Sequence, residues 1–153
     1  MVGSQFRNSQ SCWRCKLSEE TDRNPEWATV SAVRPPTWSA QYRYSPATIF
    51  DDFVFVSGQV GVDVSGEVVS DEFLPQAQRA FVNLEAVLGQ AGSSLDCILR
   101  VGLFLVDQRD FIHIPDLRGR YFTKPYPADT TVVVQSLARP GLLFEIDAIA
   151  HRK

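Results

Sequence analysis

The chain has 153 residues, with 15 lysines and arginines against 18 aspartates and glutamates, and a net charge of −3. This length suits one domain with a sizeable core. The mildly acidic balance argues against a broad nucleic-acid-binding surface, which would need positive charge. No apolar run approaches the roughly 20 residues of a membrane helix, and the first residues lack the apolar segment of a secretory signal.

The first 28 residues are polar and aperiodic, which predicts a flexible N-terminal extension before a single domain over residues 29–153. Cys12 and Cys15 have the spacing of half a zinc site or a redox pair, but no second Cys/His pair lies near them in sequence. We therefore expect no metal and no cofactor. With Cys97, the three cysteines make no disulfide framework, so a cytoplasmic location is the simplest expectation.

Strand patterns dominate the chain before residue 65. Residues 29–33 predict a short strand, and residues 53–56 form a continuous apolar, β-favouring run. Residues 60–64 resume the strand pattern before a turn. Gly58 and Gly61, inside this region, predict a bulge or a close backbone approach.

A helical pattern follows over residues 73–88. Its apolar residues recur at spacings of three and four and form one stripe, made of Phe73, Ala77, Ala80, Phe81, Leu84, Val87 and Leu88. The polar residues Gln76, Arg79, Asn83 and Glu85 are predicted to lie away from that stripe. Gly89 or Gly92 is expected to end the helix.

Residues 98–106 are too apolar for a half-exposed strand and predict a central one. A second helix is predicted over residues 110–122, with an inner face of Phe111, Ile114, Leu117, Tyr121 and Phe122. Pro115 must then lie in its first turn or break it. Two last strands are predicted over residues 131–137 and 143–150. The order β-β-β-α-β-α-β-β predicts an α+β fold, a mixed sheet with both helices on one face. Excess apolar residues on the other face predict self-association.

Several motifs resemble those of the RidA/YjgF family over about residues 35–153. The matching segments, in order, are Tyr44-Ser-Pro-Ala, Phe53-Val-Phe-Val-Ser-Gly-Gln59, Gln78-Arg-Ala-Phe-Val-Asn-Leu84, Ala91-Gly-Ser-Ser-Leu-Asp96, Val101-Gly-Leu-Phe-Leu-Val-Asp107, Pro127-Ala128 and Glu145-Ile-Asp-Ala-Ile-Ala150. The resemblance implies a chorismate-mutase-like fold, assembled as a homotrimer with sites in the clefts between subunits. It also implies hydrolysis of reactive enamines or imines to 2-oxo acids and ammonia.

The resemblance assigns roles to five positions. Tyr44 stands where the family has a tyrosine lining the cleft, and Ser57 and Gly58 stand where a strand edge approaches the ligand. Thr131 stands where many members have a cysteine or another small residue beside the bound acid. Glu145 stands where the family has a glutamate that positions or polarises the attacking water.

Asp129 stands where the family has a carboxylate-binding arginine. An arginine offers a planar pair of donors to a carboxylate, whereas an aspartate repels it. Either a nearby basic side chain substitutes, or the substrate is neutral or cationic, or the activity is lost. Arg118, Arg120 and Lys124 lie just upstream of Asp129, and Arg120 is counted among the substrate-binding residues. Arg139, in a turn, is less suited to reach.

Each assigned residue also has a purely structural interpretation. Glu145 lies between apolar neighbours on a strand, which suits a desolvated acid–base group but also a salt-bridged structural glutamate. Strand alternation puts Asp147 on the same face, where it either couples to Glu145 or pairs with Arg100 or Arg152. Tyr44 also suits a packed aromatic, Thr131 an ordinary strand residue, and Asp129 a strand-entry residue.

The leading hypothesis is a homotrimeric hydrolytic deaminase of a small imine, enamine or related metabolite, with Glu145 and Tyr44 as catalytic residues. Its partners are then other copies of itself and a small molecule, with neither nucleic acid nor membrane. The alternative is a catalytically inactive ligand-binding or regulatory member of the same fold, motivated by Asp129. RNA cleavage, a third possibility, is disfavoured by the acidic charge.

Overall fold

A computed structural model describes residues 30–153 and shows six strands in one sheet with two α-helices. The strands are β1 Val30–Ala32, β2 Ala47–Phe50, β3 Phe53–Val60, β4 Ile98–Leu105, β5 Ala128–Val133 and β6 Phe144–His151. The helices are α1 Phe73–Gln90 and α2 Ile114–Tyr121. Short 3-10 turns occupy Ala40–Tyr42, Leu95–Cys97 and Gln108–His113. The predicted extension over residues 1–28, with Cys12 and Cys15, lies outside the described residues.

The spatial order of the strands is β1-β2-β3-β6-β4-β5. β6 pairs antiparallel with both β3 and β4, whereas β5 pairs parallel with β4 after a connection that contains α2. β4 therefore has a strand on either side, as its continuous apolar sequence predicts. β5 forms one edge of the sheet.

The helices cover one face of the sheet, which we call the helix face. The apolar stripe of α1 is buried against strand residues that include Val54, Val56, Val101, Leu103, Leu105, Phe144, Ile146, Ala148 and Ala150. Phe81 of α1 stacks on Tyr121 of α2, with ring centroids 4.1 Å apart. This packing joins both helices to one core and confirms the predicted α+β arrangement.

The opposite face, which we call the open face, has no element of residues 30–153 packed over it. Strand alternation places on it the side chains of Phe53, Phe55, Arg100, Phe104, Glu145, Asp147 and Ile149. Phe53 is 46% exposed and Phe55 is 43% exposed. An apolar excess on this face is confirmed.

Two mid-strand glycines behave as predicted. The register between β3 and β6 shifts between Val56 and Gln59, so Ser57 and Gly58 form a bulge. A Cβ atom on Gly61 would lie 2.6 Å from the Cα of Gln76, so α1 approaches the backbone there more closely than any side chain would allow.

The structure corrects several details of the sequence prediction. β2 was not predicted, because its residues Ala47–Phe50 combine small and β-favouring types without a clear alternation. The strand predicted over residues 60–64 ends at Val60 and continues only as a bridge between Val62 and Val68. β5 begins at Ala128, before the predicted start at Thr131.

Two side chains lie where the helical pattern did not place them. Gln76 was predicted to lie away from the apolar stripe but is fully buried, because its side-chain amide forms hydrogen bonds with backbone groups of the surrounding loops. Phe111 is 47% exposed, because the segment before Ile114 is a 3-10 turn rather than part of α2. Of the two alternatives for Pro115, the structure shows the first: it lies in the first turn of α2, which begins at Ile114.

Candidate functional site

Glu145 lies on the open face of β6, opposite Phe104 of β4 and Val60 of β3. Its carboxylate lies against Gly58, where a Cβ atom would be only 1.7 Å from Oε1. Burial raises the pKa of Glu145, and the nearby charge of Asp147 raises it further. No hydrogen bond from residues 30–153 opposes these two effects. The carboxyl group is therefore available to bind water and keeps its proton to a higher pH than an ordinary glutamate.

Asp147 lies two residues along β6 on the same face and is held in place. Its Oδ1 accepts a hydrogen bond of 2.9 Å from the backbone N–H of Gly102, and it lies 3.9 Å from the guanidinium of Arg100. A Cβ atom on Gly102 would be 2.6 Å from the same Oδ1. Each of the two β6 carboxylates thus lies over a glycine of a neighbouring strand. The predicted Arg100 pairing is present.

The hydroxyl group of Ser57 holds the chain that carries Tyr44. Ser57 Oγ donates a hydrogen bond of 2.8 Å to the carbonyl of Ser45, and its backbone N–H donates one of 2.9 Å to the carbonyl of Pro46. Both groups of Ser57 therefore bind the backbone next to Tyr44.

Tyr44 and Gly58 line one cavity of about 400 Å³, beside the loop that connects β1 to β2. Trp38, Arg34 and Arg79 also line it. The Nε of Arg79 donates to the carbonyl of Val62 at 2.9 Å, which fixes that side chain along the cavity wall. Tyr44 itself is 40% exposed. Residues of α1 also line this cavity and Glu145 does not, so Gly58 is the residue that the cavity and the Glu145 carboxylate have in common.

Asp129 and Thr131 occupy a different place, on β5. They pair in register with Val101 and Leu103, so their side chains point to the helix face, away from the open face of Glu145. There Arg118 of α2 binds Asp129 in a bidentate manner, with Nε–Oδ2 at 2.9 Å and Nη2–Oδ1 at 2.6 Å. Within one subunit, the structure does not bring Asp129 and Glu145 together.

The basic residue that reaches Asp129 is Arg118, one of three upstream candidates, rather than Arg120. The guanidinium of Arg120 lies 5.5 Å from the ring centroid of Tyr121 on the exposed side of α2. The positions of the two arginines on α2 explain why Arg118 contacts Asp129 and Arg120 does not. Arg118 comes directly after the buried Leu117 and lies on the side of α2 toward β5, whereas Arg120 lies on the exposed side. Arg139 donates a hydrogen bond to the carbonyl of Gly66 at 2.7 Å and is engaged elsewhere.

The comparisons with known proteins all indicate the same family. Residues 32–152 match the family described as endoribonuclease L-PSP. The chain belongs to this family. Similar solved structures carry the names Rid and YjgF for the same group, which confirms the resemblance seen in the motifs. We refer to it below as the RidA/YjgF family.

Three relatives illustrate the range of this RidA/YjgF similarity. A protein of Myxococcus xanthus named DfrA is 41% identical over 110 residues, which cover 70% of this chain and 83% of that protein. A 2-iminobutanoate/2-iminopropanoate deaminase of Dermatophagoides farinae is 34% identical over 107 residues, covering 69% and 83%. The solved structure of a Rid family protein, YyfA of Yersinia pestis, is 30% identical with a TM-score of 0.74, covering 80% and 99%.

Of the two glycines that lie against the β6 carboxylates, only Gly58 is predicted from the sequence to form a bulge or a close backbone approach. Gly102 is not, although a glycine inside the apolar run of residues 98–106 is the signal for a close approach, here by Asp147. Trp38 carried no sequence signal as a cavity residue, and Arg79 did so only as part of the matching segment over residues 78–84.

The described part of this RidA/YjgF chain contains no group of three or more His, Cys, Asp or Glu side chains placed to hold a metal ion. No helix within residues 30–153 is long and apolar enough to cross a membrane. His113, on the 3-10 turn before α2, stacks on Phe73 with ring centroids 5.8 Å apart, and His151 ends β6. The ring of His151 hydrogen-bonds the carbonyl of Arg152, and its backbone carbonyl accepts from Ser93 Oγ.

Proposed function

We propose that this RidA/YjgF family protein hydrolyses a small reactive imine or enamine and releases ammonia. The observation that carries the proposal is the carboxyl group of Glu145, which is partly buried, has a raised pKa, and lies against the backbone of Gly58. The relatives named 2-iminobutanoate/2-iminopropanoate deaminases support this reaction class. General acid–base catalysis by a carboxyl group is most effective when its pKa lies near the working pH.

The reaction needs only water and one proton-transfer group. Water attacks the imine carbon and a C–O bond forms, while Glu145 takes one proton from the water and passes it to the imine nitrogen, which gives a neutral carbinolamine. Glu145 then takes the proton of the carbinolamine hydroxyl group and delivers it to the nitrogen as the C–N bond breaks and the C=O bond forms. The products are one carbonyl compound and one ammonia, so atoms and charge balance. The raised pKa of Glu145 suits both directions of transfer.

Tyr44, Ser57 and Gly58 have supporting roles in this proposal. Tyr44 shapes the substrate cavity and touches the substrate, whereas Ser57 holds the backbone beside Tyr44 through its two hydrogen bonds. Gly58 provides the space in which Glu145 meets substrate and water.

We further propose that the protein is a cytoplasmic homotrimer whose reaction site lies in a cleft between subunits. Exposed Phe53 and Phe55 support association through the open face. Because Asp129 and Glu145 lie on opposite faces of one sheet, only a neighbouring subunit can bring Asp129 or Thr131 to a substrate bound at Glu145. The cleft between subunits is therefore part of the proposal.

The test is ammonia release from imines generated freshly in the assay, carboxylate-bearing imines by an amino acid oxidase and uncharged imines by an amine oxidase. The wild-type protein is expected to accelerate release, and Glu145→Gln is expected to reduce the acceleration by about 10²- to 10⁴-fold. Glu85→Gln removes an exposed carboxylate of α1 and serves as the matched control. Absence of acceleration with both carboxylate-bearing and uncharged imines would overturn the proposal.

A specific observation favours one alternative, a family member that binds a small ligand without turning it over. The bidentate pair of Arg118 and Asp129 leaves the cation already neutralised where the resemblance expects carboxylate recognition. Measurable turnover would exclude this alternative. The endoribonuclease in the family description is not part of our proposal, since a chain of net charge −3 is poorly suited to bind RNA.

A further inference from the structure

A second cavity, of about 490 Å³, lies beside the β5 edge of the sheet, next to α2. Its walls are formed by Pro115, Arg118, Phe122, Tyr126, Pro127 and Asp129 together with the backbone of Gly119. Proline rings and two aromatic side chains make most of this surface apolar. Arg118 and Asp129 are its only charged residues within the described part of the chain.

The two charges of this cavity are fixed against each other. Arg118 donates from Nε and Nη2 to the two oxygens of Asp129, and Nη2 also donates to Thr131 Oγ1 at 2.7 Å. Thr131 Oγ1 in turn donates to Asp129 Oδ1 at 2.8 Å. The side chain of Asp129 is only 17% exposed. A bidentate ion pair that a third group, here Thr131, also hydrogen-bonds has a specific geometry and resists rearrangement.

This arrangement decides which ligands the cavity accepts. A free carboxylate could bind Arg118 in a bidentate manner only by displacing Asp129, which is part of the same chain and has a high effective concentration. Asp129 would also repel it. An uncharged molecule meets neither obstacle. The described bonds of Arg118 use Nε and Nη2, so Nη1 can donate to a carbonyl or imine acceptor, and Tyr126 lines the same cavity.

We propose that this cavity binds a small uncharged molecule with a carbonyl or imine acceptor, and that Asp129 is the specificity-determining residue that excludes carboxylates. The substrate part of this inference rests on the proposed function, in which the cleft between subunits brings this cavity to Glu145 of a neighbouring copy: the imine hydrolysed by this protein lacks a free carboxylate, being an amide or a similar neutral derivative. The binding part does not depend on turnover.

Pyruvate and pyruvamide make a matched pair of probes, because they have nearly the same shape and differ in charge. Their binding to the full-length protein is measured from NMR chemical shifts of the backbone amides of Gly119 and Tyr126. Pyruvamide is expected to bind the wild-type protein at least about tenfold more tightly than pyruvate. Asp129→Asn is expected to reverse the preference by a similar factor, because it frees Arg118. Asp116→Asn, on α2 but outside the cavity, is the control and is expected to change nothing.

A second variant keeps the proposal testable if the Asp129→Asn protein does not fold. Arg118→Met retains the aliphatic stem and removes the donor, so it is expected to abolish pyruvamide binding. Equal binding of the two probes to the wild-type protein, or shifts that avoid Gly119 and Tyr126, would overturn the proposal. Probe binding without ammonia release would overturn the proposed function alone. Efficient wild-type hydrolysis of 2-iminopropanoate would overturn the specificity inference and leave the proposed function standing.

Discussion

The carboxylate of Glu145 occupies the space that a side chain at residue 58 would fill. Its Oε1 lies 1.7 Å from the position of a Cβ atom built on Gly58, far inside any real contact distance. The bulge of β3 at Ser57 and Gly58 creates this space, because it interrupts the ladder between β3 and β6. The polar side chain of Glu145 can therefore lie directly against the backbone of β3 on the open face of the sheet.

Gly58→Ala is expected to displace the Glu145 carboxylate and to lower the proposed hydrolysis by at least about tenfold, since misplacement of a catalytic group by an ångström costs more than that. The measurement is kcat for ammonia release together with the thermal midpoint. Gly89→Ala is the matched control, because nothing lies within 4 Å of a Cβ there and alanine favours a helix by about 1 kcal/mol. Unchanged kcat in Gly58→Ala would contradict a role for Glu145 at this position.

The raised pKa of Glu145 predicts how stability depends on pH. Because the pKa is higher in the folded state, the folded protein binds more protons than the unfolded chain between the ordinary and the raised pKa. The contribution of Glu145 is therefore most favourable below the ordinary carboxyl range and is lost as pH rises through the raised value. Glu145→Gln is expected to flatten this decline and to be at least as stable as wild type near pH 7.

Urea unfolding at several pH values, from about 4 to 8, measures this effect. Asp147 is the second cause of the raised pKa, and Arg100 lies near Asp147, so Asp147→Asn is expected to reduce the decline only in part. Parallel curves for wild type and Glu145→Gln would show that Glu145 does not ionise differently in the folded state.

The alternation of β6 made the shared face of Glu145 and Asp147 predictable from sequence, and the glycine pattern made the bulge of β3 predictable. The face of Asp129 was not predictable. It follows from the register of β5 against β4, and a shift of one residue would have turned Asp129 and Thr131 to the open face. No local signal in residues 128–133 specifies that register, which depends on the connection through α2.

Association through the open face predicts that a charge there separates the subunits. Phe55 lies between Thr48 of β2 and Ile149 of β6, 43% exposed in the single chain. Phe55→Asp is expected to convert a trimer to monomers, because a buried, unpaired carboxylate would cost several kcal/mol per interface. Val82→Asp, at an equally exposed apolar residue of α1, is the control. Light scattering decides between them, and a wild-type monomer would contradict the trimer itself.

The loss of ammonia release in the Phe55→Asp monomer would connect assembly with catalysis. The proposed site requires a neighbouring subunit, so the monomer is expected to lose activity while keeping its fold. Far-UV circular dichroism verifies the fold. A fully active monomer would show that one subunit contains the complete site.

Gln76 is expected to be the most sensitive polar residue of the core. Its Nε2 donates to the carbonyls of Ser70 and Gly141, each at 2.7 Å, and its Oε1 accepts from the backbone N–H of Leu143 at 2.9 Å. These bonds connect α1 to the chain entering β6, the strand of Glu145. Gln76→Leu leaves three backbone groups without partners, at about 1–3 kcal/mol each when buried.

The expected loss for Gln76→Leu is therefore about 3 kcal/mol or more in the free energy of unfolding, measured by urea titration at constant pH. Gln90→Leu makes the same chemical change at an exposed position of α1 and is expected to stay within about 0.5 kcal/mol of wild type. If both variants unfold at the same urea concentration, water replaces the Gln76 amide as the hydrogen-bond partner of the three backbone groups. In that case the entry to β6 is not fixed by this side chain, and Glu145 is positioned by its strand pairing alone.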